Sequence, residues 1–96
     1  MKKINSDERE KILEPFLKVG WVYLSERDAI TKKYTFANFV EAFGWMSKAA
    51  IVSEKLNHHP EWINVYKIVE VTLTSHDIQG LSNLDLELAS KLDTLS

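Results

Sequence analysis

The sequence predicts an α+β protein: a four-stranded antiparallel sheet with three helices packed on one face, in the order α-β-β-α-β-β-α. Three observations favour this class. Helical periodicity of apolar residues occurs in three separate segments, two pairs of β-forming runs lie between them, and short turns join the members of each pair. With 96 residues, the chain fits a single domain spanning residues 1–96.

The first helix should begin near Asn5 or Ser6, because either residue can cap it and acids follow in the first turns. Pro15 should limit how far this helix runs. The β-forming residues of segments 19–24 and 30–36 then predict two antiparallel strands with a polar turn between them.

A long helix is predicted over about residues 38–57. Asn38 and Glu41 have the spacing of an N-terminal cap, and apolar residues follow at helical intervals. Val40 and Ile51 widen the apolar arc beyond what a small sheet can cover. We therefore expect a second partner for this helix, and an interface between copies of the chain is one way to supply it.

The end of the long helix carries two adjacent histidines. Pro60 disfavours helical geometry at His59, so the helix should stop at about Asn57 or His58. Both histidines are thus expected at a helix-to-strand corner.

A second pair of strands follows this corner. Its second strand, residues 67–74, alternates apolar and polar residues and should be half-buried, with His76 at its end. Gly80 breaks the pattern, and Ser82 with Asp85 resembles a capping pair at the start of a final helix marked by a leucine stripe.

Composition narrows the functional classes. The net charge of −2 removes the usual electrostatic basis for direct binding to nucleic acid. There is no cysteine, so thiolate chemistry, disulfides and Cys-ligated zinc are excluded. No apolar run approaches the length of a membrane span and the N-terminus lacks a signal-peptide pattern, so a soluble cytoplasmic protein is the default expectation.

All three histidines of the chain lie within nineteen residues, which suggests a proton-transfer site. Glu54 stands four residues before His58 and would orient its imidazole if the helix extended that far. Taken alone, the His pair is more simply explained as an exposed helix end. A zinc site built from His58, His59 and His76 is a further alternative, disfavoured because adjacent side chains diverge.

Taken together, these residues resemble the signature of the pterin-4a-carbinolamine dehydratase family. The shared pattern, with the family's spacing throughout, is Glu54, His58-His59-Pro60, Tyr66, His76 and Asp85. Similar flanking segments are Val19-Gly20-Trp21, Arg27-Asp28-Ala29-Ile30, Phe43-Gly44 and Gly80-Leu81-Ser82. The resemblance therefore covers nearly the whole chain.

The resemblance implies a hydro-lyase that needs no metal or cofactor and converts 4a-hydroxytetrahydropterin to quinonoid dihydropterin and water, in tetrahydrobiopterin recycling. It implies His58 and His76 as the acid/base pair, with His59 holding the substrate. Glu54, Asn57 and Asp85 would bind the pterin or orient an imidazole, with Asp85 positioning His76 or the ring edge. Trp21 and Pro60 would wall the pocket, although an aromatic in a strand more often belongs to the core.

One departure from the family is visible: members commonly carry Asp where this chain has Asn57. The loss of that charge should disfavour a nearby imidazolium and shift the pH optimum. The partners expected are the pterin substrate and a second copy of the chain, as a homodimer or homotetramer. The alternatives are a protein-binding module that acts as a dimerisation cofactor through the long helix, or a dehydratase-like protein for another pterin.

Overall fold

The computed structural model describes residues 1–96 and contains three helices and four strands. The helices are α1 (Arg9–Lys18), α2 (Phe39–Leu56) and α3 (Asn83–Leu95). The strands are β1 (Val22–Leu24), β2 (Ala29–Thr35), β3 (Glu61–Val65) and β4 (Ile68–Leu73), and a short 3₁₀ turn (His76–Ile78) follows β4. The predicted order α-β-β-α-β-β-α is confirmed. None of the helices is long and apolar enough to cross a membrane.

The four strands form one antiparallel sheet in the order β1-β2-β4-β3. The β1–β2 and β3–β4 hairpins lie side by side, joined through β2 and β4. On β4, Val69, Val71 and Leu73 are fully buried and alternate with half-buried residues. This alternation confirms the predicted half-buried strand, with its apolar side toward the helices.

The hydrophobic core lies between the sheet and the helices, and all three helices contribute to it. Its helical members are Leu13 from α1, Ala42, Trp45 and Ala49 from α2, and Leu88, Ala89 and Leu92 from α3. Asp93, near the end of α3, accepts hydrogen bonds from Trp21 Nε1 (2.9 Å), Lys32 Nζ (2.7 Å) and Tyr34 Oη (2.6 Å). Burial and the Asp93 carboxylate raise the pKa of the Tyr34 hydroxyl. These three bonds hold the end of α3 against β2 and against the residue that precedes β1.

Helix α1 differs from the prediction at both ends. It begins at Arg9, and the Asn5 side chain instead accepts the Asp7 backbone N–H (2.9 Å) in a local turn before the helix. The helix also continues past Pro15 to Lys18. A proline removes one intrahelical hydrogen bond, but burial of Leu13 against the core offsets that loss.

Helix α2 matches its prediction closely. The Asn38 side chain accepts the Glu41 N–H (2.9 Å), as expected for the cap. Val40 is 78 % exposed whereas Trp45 is 4 % exposed, so the apolar arc does extend beyond the face that the sheet covers. Phe39, Phe43 and Ile51 are exposed on the same side as Val40.

The strands differ slightly from their predicted bounds; β4, for example, ends at Leu73, one residue before the predicted end. Strand β1 begins at Val22, because the chain turns at Gly20, whose φ of 106° is accessible mainly to glycine. Tyr66 lies in the turn between β3 and β4 with φ of 54°, and its side chain is exposed. His76 begins the 3₁₀ turn, two residues beyond the predicted end of the strand at residue 74.

Candidate active site

The corner after α2 is shaped by a left-handed residue. Asn57 has φ of 52° and ψ of 42°, a conformation that asparagine tolerates better than most residues. The Asn57 N–H donates to the Glu54 carbonyl and the His58 N–H to the Ser53 carbonyl, both at 3.1 Å. The chain thereby reverses direction, with His58 buried and His59 exposed.

His58 is 7 % exposed and lies against a buried carboxylate. Its Nε2 is 2.5 Å from Asp85 Oδ1, and Asp85 is fully buried. The other carboxylate oxygen accepts the Ser75 hydroxyl (2.7 Å) and the Ser82 N–H (2.9 Å). Ser82 and Asp85 form the predicted capping box of α3. A single carboxylate therefore caps α3 and holds the imidazole, with its oxygens satisfied by polar donors.

The histidine partners differ from those expected. Glu54 was expected to orient His58, yet its Oε1 lies 2.6 Å from His59 Nε2. Asp85 was expected to position His76 or the edge of the pterin ring, and the structure places its carboxylate against His58. Because α2 ends two residues before His58, the four-residue helical spacing from Glu54 no longer holds there.

The third histidine also has a carboxylate partner. His76 Nε2 is 2.7 Å from Glu61 Oε2, at the start of β3. The Arg27 guanidinium binds both oxygens of the same carboxylate, at 3.0 and 2.6 Å. The hydrogen bonds from Arg27 and His76 lower the pKa of Glu61 to about 2. Glu61 is therefore ionised throughout the neutral pH range.

All three imidazoles are bound in the same way: each places Nε2 against a carboxylate. Where the carboxylate is ionised it only accepts hydrogen bonds, and Nε2 then carries the proton of the pair. In a neutral imidazole the lone pair then resides on Nδ1, which has no hydrogen-bond partner within the chain. Each histidine thus offers Nδ1 as a base, or as an acid when the ring is protonated.

The three histidines share one cleft of about 330 Å³. Its lining comprises Met1, Asn57, His58, His59, Pro60, Glu61, Thr74, Ser75, His76 and Asp77. Glu54 lines a neighbouring depression of about 250 Å³, which shares His59 and Pro60 with the cleft. A larger open groove, about 570 Å³, lies between α2 and α3 and contains no histidine. No group of three or more histidine or carboxylate side chains is arranged to hold a metal ion.

Trp21 does not join the cleft. It is 2 % exposed, donates to Asp93 and packs edge-on against Tyr34. Its position within this chain is that of a core residue, whereas Pro60 and Asn57 do line the cleft.

The segment that carries His76 is fastened to the turn between β1 and β2. The Thr74 hydroxyl donates to the Asp28 carbonyl (3.0 Å), and the Leu81 N–H donates to the Asp28 carboxylate (3.1 Å). At Gly80 an added Cβ would meet that carboxylate at 2.4 Å, so a larger residue there would displace Asp28. Both ends of the segment thus depend on one residue.

Three residues of the site were given no role from the sequence: Glu61, Arg27 and Ser75. Glu61 directly follows Pro60, but its partners are 15 and 34 residues away along the chain. Ser75 directly precedes His76, but its hydroxyl donates to Asp85, which is ten residues further along the chain. For Glu61 and Ser75 the available signal was their position beside the histidine segments, and for Arg27 it was the flanking segment Arg27-Asp28-Ala29-Ile30. Neither signal reveals the partner.

Fold and cleft together define a small α+β protein with a site of three histidine–carboxylate pairs. The model of the pterin 4 alpha carbinolamine dehydratase family matches residues 2–95, and the chain belongs to that family. The resemblance inferred from the spaced motif is therefore confirmed.

Individual relatives agree with this assignment. A protein of Roseobacter denitrificans, provisionally named a pterin-4-alpha-carbinolamine dehydratase, is 54 % identical over 94 residues, covering 98 % of this chain and 96 % of that protein. The pterin-4-alpha-carbinolamine dehydratase of Drosophila melanogaster is 45 % identical over 92 residues, which are 96 % of this chain but 48 % of the fly protein.

Solved structures share the fold. The crystal structure of a Brucella melitensis protein, described as a transcriptional coactivator/pterin dehydratase, has a TM-score of 0.86 at 38 % identity and covers 98 % of both chains. A pterin dehydratase-like protein described as a RuBisCO assembly factor of the alpha-carboxysome has a TM-score of 0.69 at 18 % identity, covering 79 % of this chain and 88 % of that one. The second likeness concerns the fold alone.

Proposed function

We propose that the protein is a 4a-hydroxytetrahydropterin dehydratase, which releases water and forms quinonoid dihydropterin for tetrahydropterin recycling. The C4a–O bond breaks, the N5–H bond breaks and a C4a=N5 double bond forms. The leaving hydroxyl needs one proton, and N5 gives one up. The reaction is therefore balanced by proton transfer alone.

The observation that supports this proposal best is the shared cleft with its three carboxylate-paired imidazoles. An imidazole titrates near neutral pH, so it can serve as general acid or general base. A carboxylate on Nε2 stabilises the imidazolium that forms when Nδ1 takes a proton. Family membership supplies the substrate class.

His58 and His76 are the proposed acid/base pair, with His59 holding the substrate. His58 is buried and fixed by Asp85, which suits a group that must keep one orientation during proton transfer. His59 is exposed at the rim and adjoins both depressions. Asn57 and Pro60 shape the wall between His58 and β3.

The first test is the reaction itself. The purified protein should accelerate decay of 4a-hydroxytetrahydropterin above its spontaneous rate, and dialysis against a chelator should leave the acceleration intact, because imidazoles supply the protons. The decay is followed by absorbance, with buffer alone as the background. Activity that disappears on dialysis and returns with zinc would contradict the acid/base proposal.

We further propose that α2 forms an interface between copies of the chain, in a homodimer or a dimer of dimers. Its exposed apolar side comprises Phe39, Val40, Phe43 and Ile51. Isolated exposed apolar residues are ordinary, but several on one side of a helix indicate a covered surface. Closed symmetric assemblies are the common solution for small domains.

Phe43→Asp should shift the protein toward the monomer mass, because a charge on this side opposes burial. Val19→Asp is the control, since it also replaces an exposed apolar residue with aspartate but lies outside α2. Trp45 is unsuitable for this test because it lies in the core. Light scattering measures the mass, and a strictly monomeric wild type at high concentration would refute the interface.

A second candidate function uses the same side of α2 to bind a different protein, as a dimerisation cofactor would. The exposed apolar side favours it, and the Brucella melitensis relative is described as a transcriptional coactivator as well as a pterin dehydratase. Under this alternative Phe43→Asp would abolish binding of the other protein and leave self-association unchanged.

A further inference from the structure

The His76 side chain depends on a single contact. It lies on the short 3₁₀ turn and is largely exposed, so packing does little to restrict its rotation. Its one hydrogen bond within the chain joins Nε2 to Glu61 Oε2. Orientation of this imidazole therefore rests on where Glu61 is held.

Glu61 is held in turn by Arg27. Each of its two carboxylate oxygens accepts a hydrogen bond from one guanidinium nitrogen. This paired geometry fixes the plane of the carboxylate, which a single hydrogen bond would leave free to rotate. Three separate elements converge here: the β1–β2 turn, the start of β3 and the 3₁₀ turn. The residues lie 34 and 15 positions apart in sequence, so no local backbone requirement brings them together.

We propose that Glu61 and Arg27 are positioning residues for His76: Glu61 fixes the ring with Nδ1 as its free nitrogen, and Arg27 fixes Glu61. This inference rests on the proposed function, since it assigns His76 its orientation for proton transfer. Neither Glu61 nor Arg27 transfers a proton to or from the substrate in this proposal.

The alternative is an exposed ion pair that adds only stability. Exposed pairs contribute little to stability, and a stability role alone would leave catalysis unchanged. Fixed orientation has larger consequences, because a small misplacement of a catalytic group can cost about 10²-fold in rate. The low pKa of Glu61 is consistent with positioning, since the carboxylate stays charged throughout the neutral pH range.

The test compares Glu61→Ala, Arg27→Ala and the double variant. Loss of the carboxylate should lower kcat by about 10- to 100-fold with little change in KM, because the ring is no longer held. Arg27→Ala should cause a smaller loss. The double variant should match Glu61→Ala alone, since Arg27 acts only through Glu61. Additive losses, or a rise in KM with Arg27→Ala alone, would mean that Arg27 binds substrate directly and would overturn the inference.

A readout without substrate accompanies the kinetics. The ¹⁵N resonances of the imidazoles report which ring nitrogen carries the proton, and at a pH where the rings are neutral His76 should be protonated on Nε2. Glu61→Ala should give a mixture of tautomers at His76 and leave His58 unchanged. Glu14→Gln is the control, because this exposed carboxylate pairs only with Lys18 and should alter neither readout.

The two readouts separate failure of the inference from failure of the proposed function. If the wild type does not dehydrate the carbinolamine, the proposed function fails, and the tautomer of His76 still decides whether Glu61 positions the ring. If the wild type is active while Glu61→Ala retains its kcat and its His76 tautomer, the proposed function stands and the positioning role is refuted.

Discussion

His58→Ala and His76→Ala should each lower kcat by about 10²- to 10⁴-fold, the usual cost of removing a general acid or base. His59→Ala should raise KM more than it lowers kcat, because this residue is proposed to hold the substrate. The double variant of His58 and His76 should lose much less than the product of the two single losses, since both act in one step. Initial rates corrected for spontaneous dehydration give these values.

A structural effect at His58 must be separated from the chemical one, because this residue is buried. His58→Gln keeps an amide donor for Asp85 but cannot transfer protons near neutral pH. The Tm of His58→Gln should therefore lie closer to that of the wild type than the Tm of His58→Ala does. The activity of the two variants should be equally low. Full activity in the double variant of His58 and His76 would eliminate the proposed mechanism.

Asp85→Ala should destabilise the fold and inactivate the site together. Three buried donors lose their acceptor: His58 Nε2, the Ser75 hydroxyl and the Ser82 N–H. An unsatisfied buried group costs about 1–3 kcal/mol, so the free energy of unfolding should fall by at least about 3 kcal/mol. For a domain of this size, Tm should then fall by more than about 10 °C. Urea unfolding and calorimetry measure the change.

Ser82→Ala is the matched control for this prediction. It removes the capping hydroxyl of α3, for which a loss of about 1 kcal/mol is typical, but leaves Asp85 beside His58. Its activity should therefore stay well above that of Asp85→Ala. If the two variants were equally stable, the carboxylate would serve only as part of the cap.

The parts of this fold that were predictable from the sequence are those with local causes. The caps at Asn38 and Ser82 depend on side chains two or three residues from the N–H groups they accept, and both were found as expected. The corner before Pro60 follows from a steric restriction on the preceding residue. Periodicity was equally informative on the central strand, where alternate side chains face the core.

The partners of the histidines were not predictable in the same way. His58 and Asp85 are 27 residues apart, and their contact depends on how α3 packs beneath the end of α2. The left-handed conformation of Asn57 ends α2 before His58. Glu54 and His58 are therefore not neighbours on one helical face, although they are four residues apart. The family motif identified the right residues, but the assignment of each carboxylate to its imidazole required the tertiary structure.

Two adjacent residues of the turn between β1 and β2, Arg27 and Asp28, hold different parts of the site. Arg27 holds the carboxylate that contacts His76, and Asp28 anchors both ends of the segment that bears this histidine. Because Arg27 and Asp28 are adjacent, a displacement of this turn should move the Glu61 carboxylate and the segment bearing His76 in the same direction. We therefore expect correlated motion, in which the distance between imidazole and carboxylate changes less than the position of either group relative to the sheet. Through this turn, an exposed imidazole proposed as a catalytic group should keep a steady geometry without being buried.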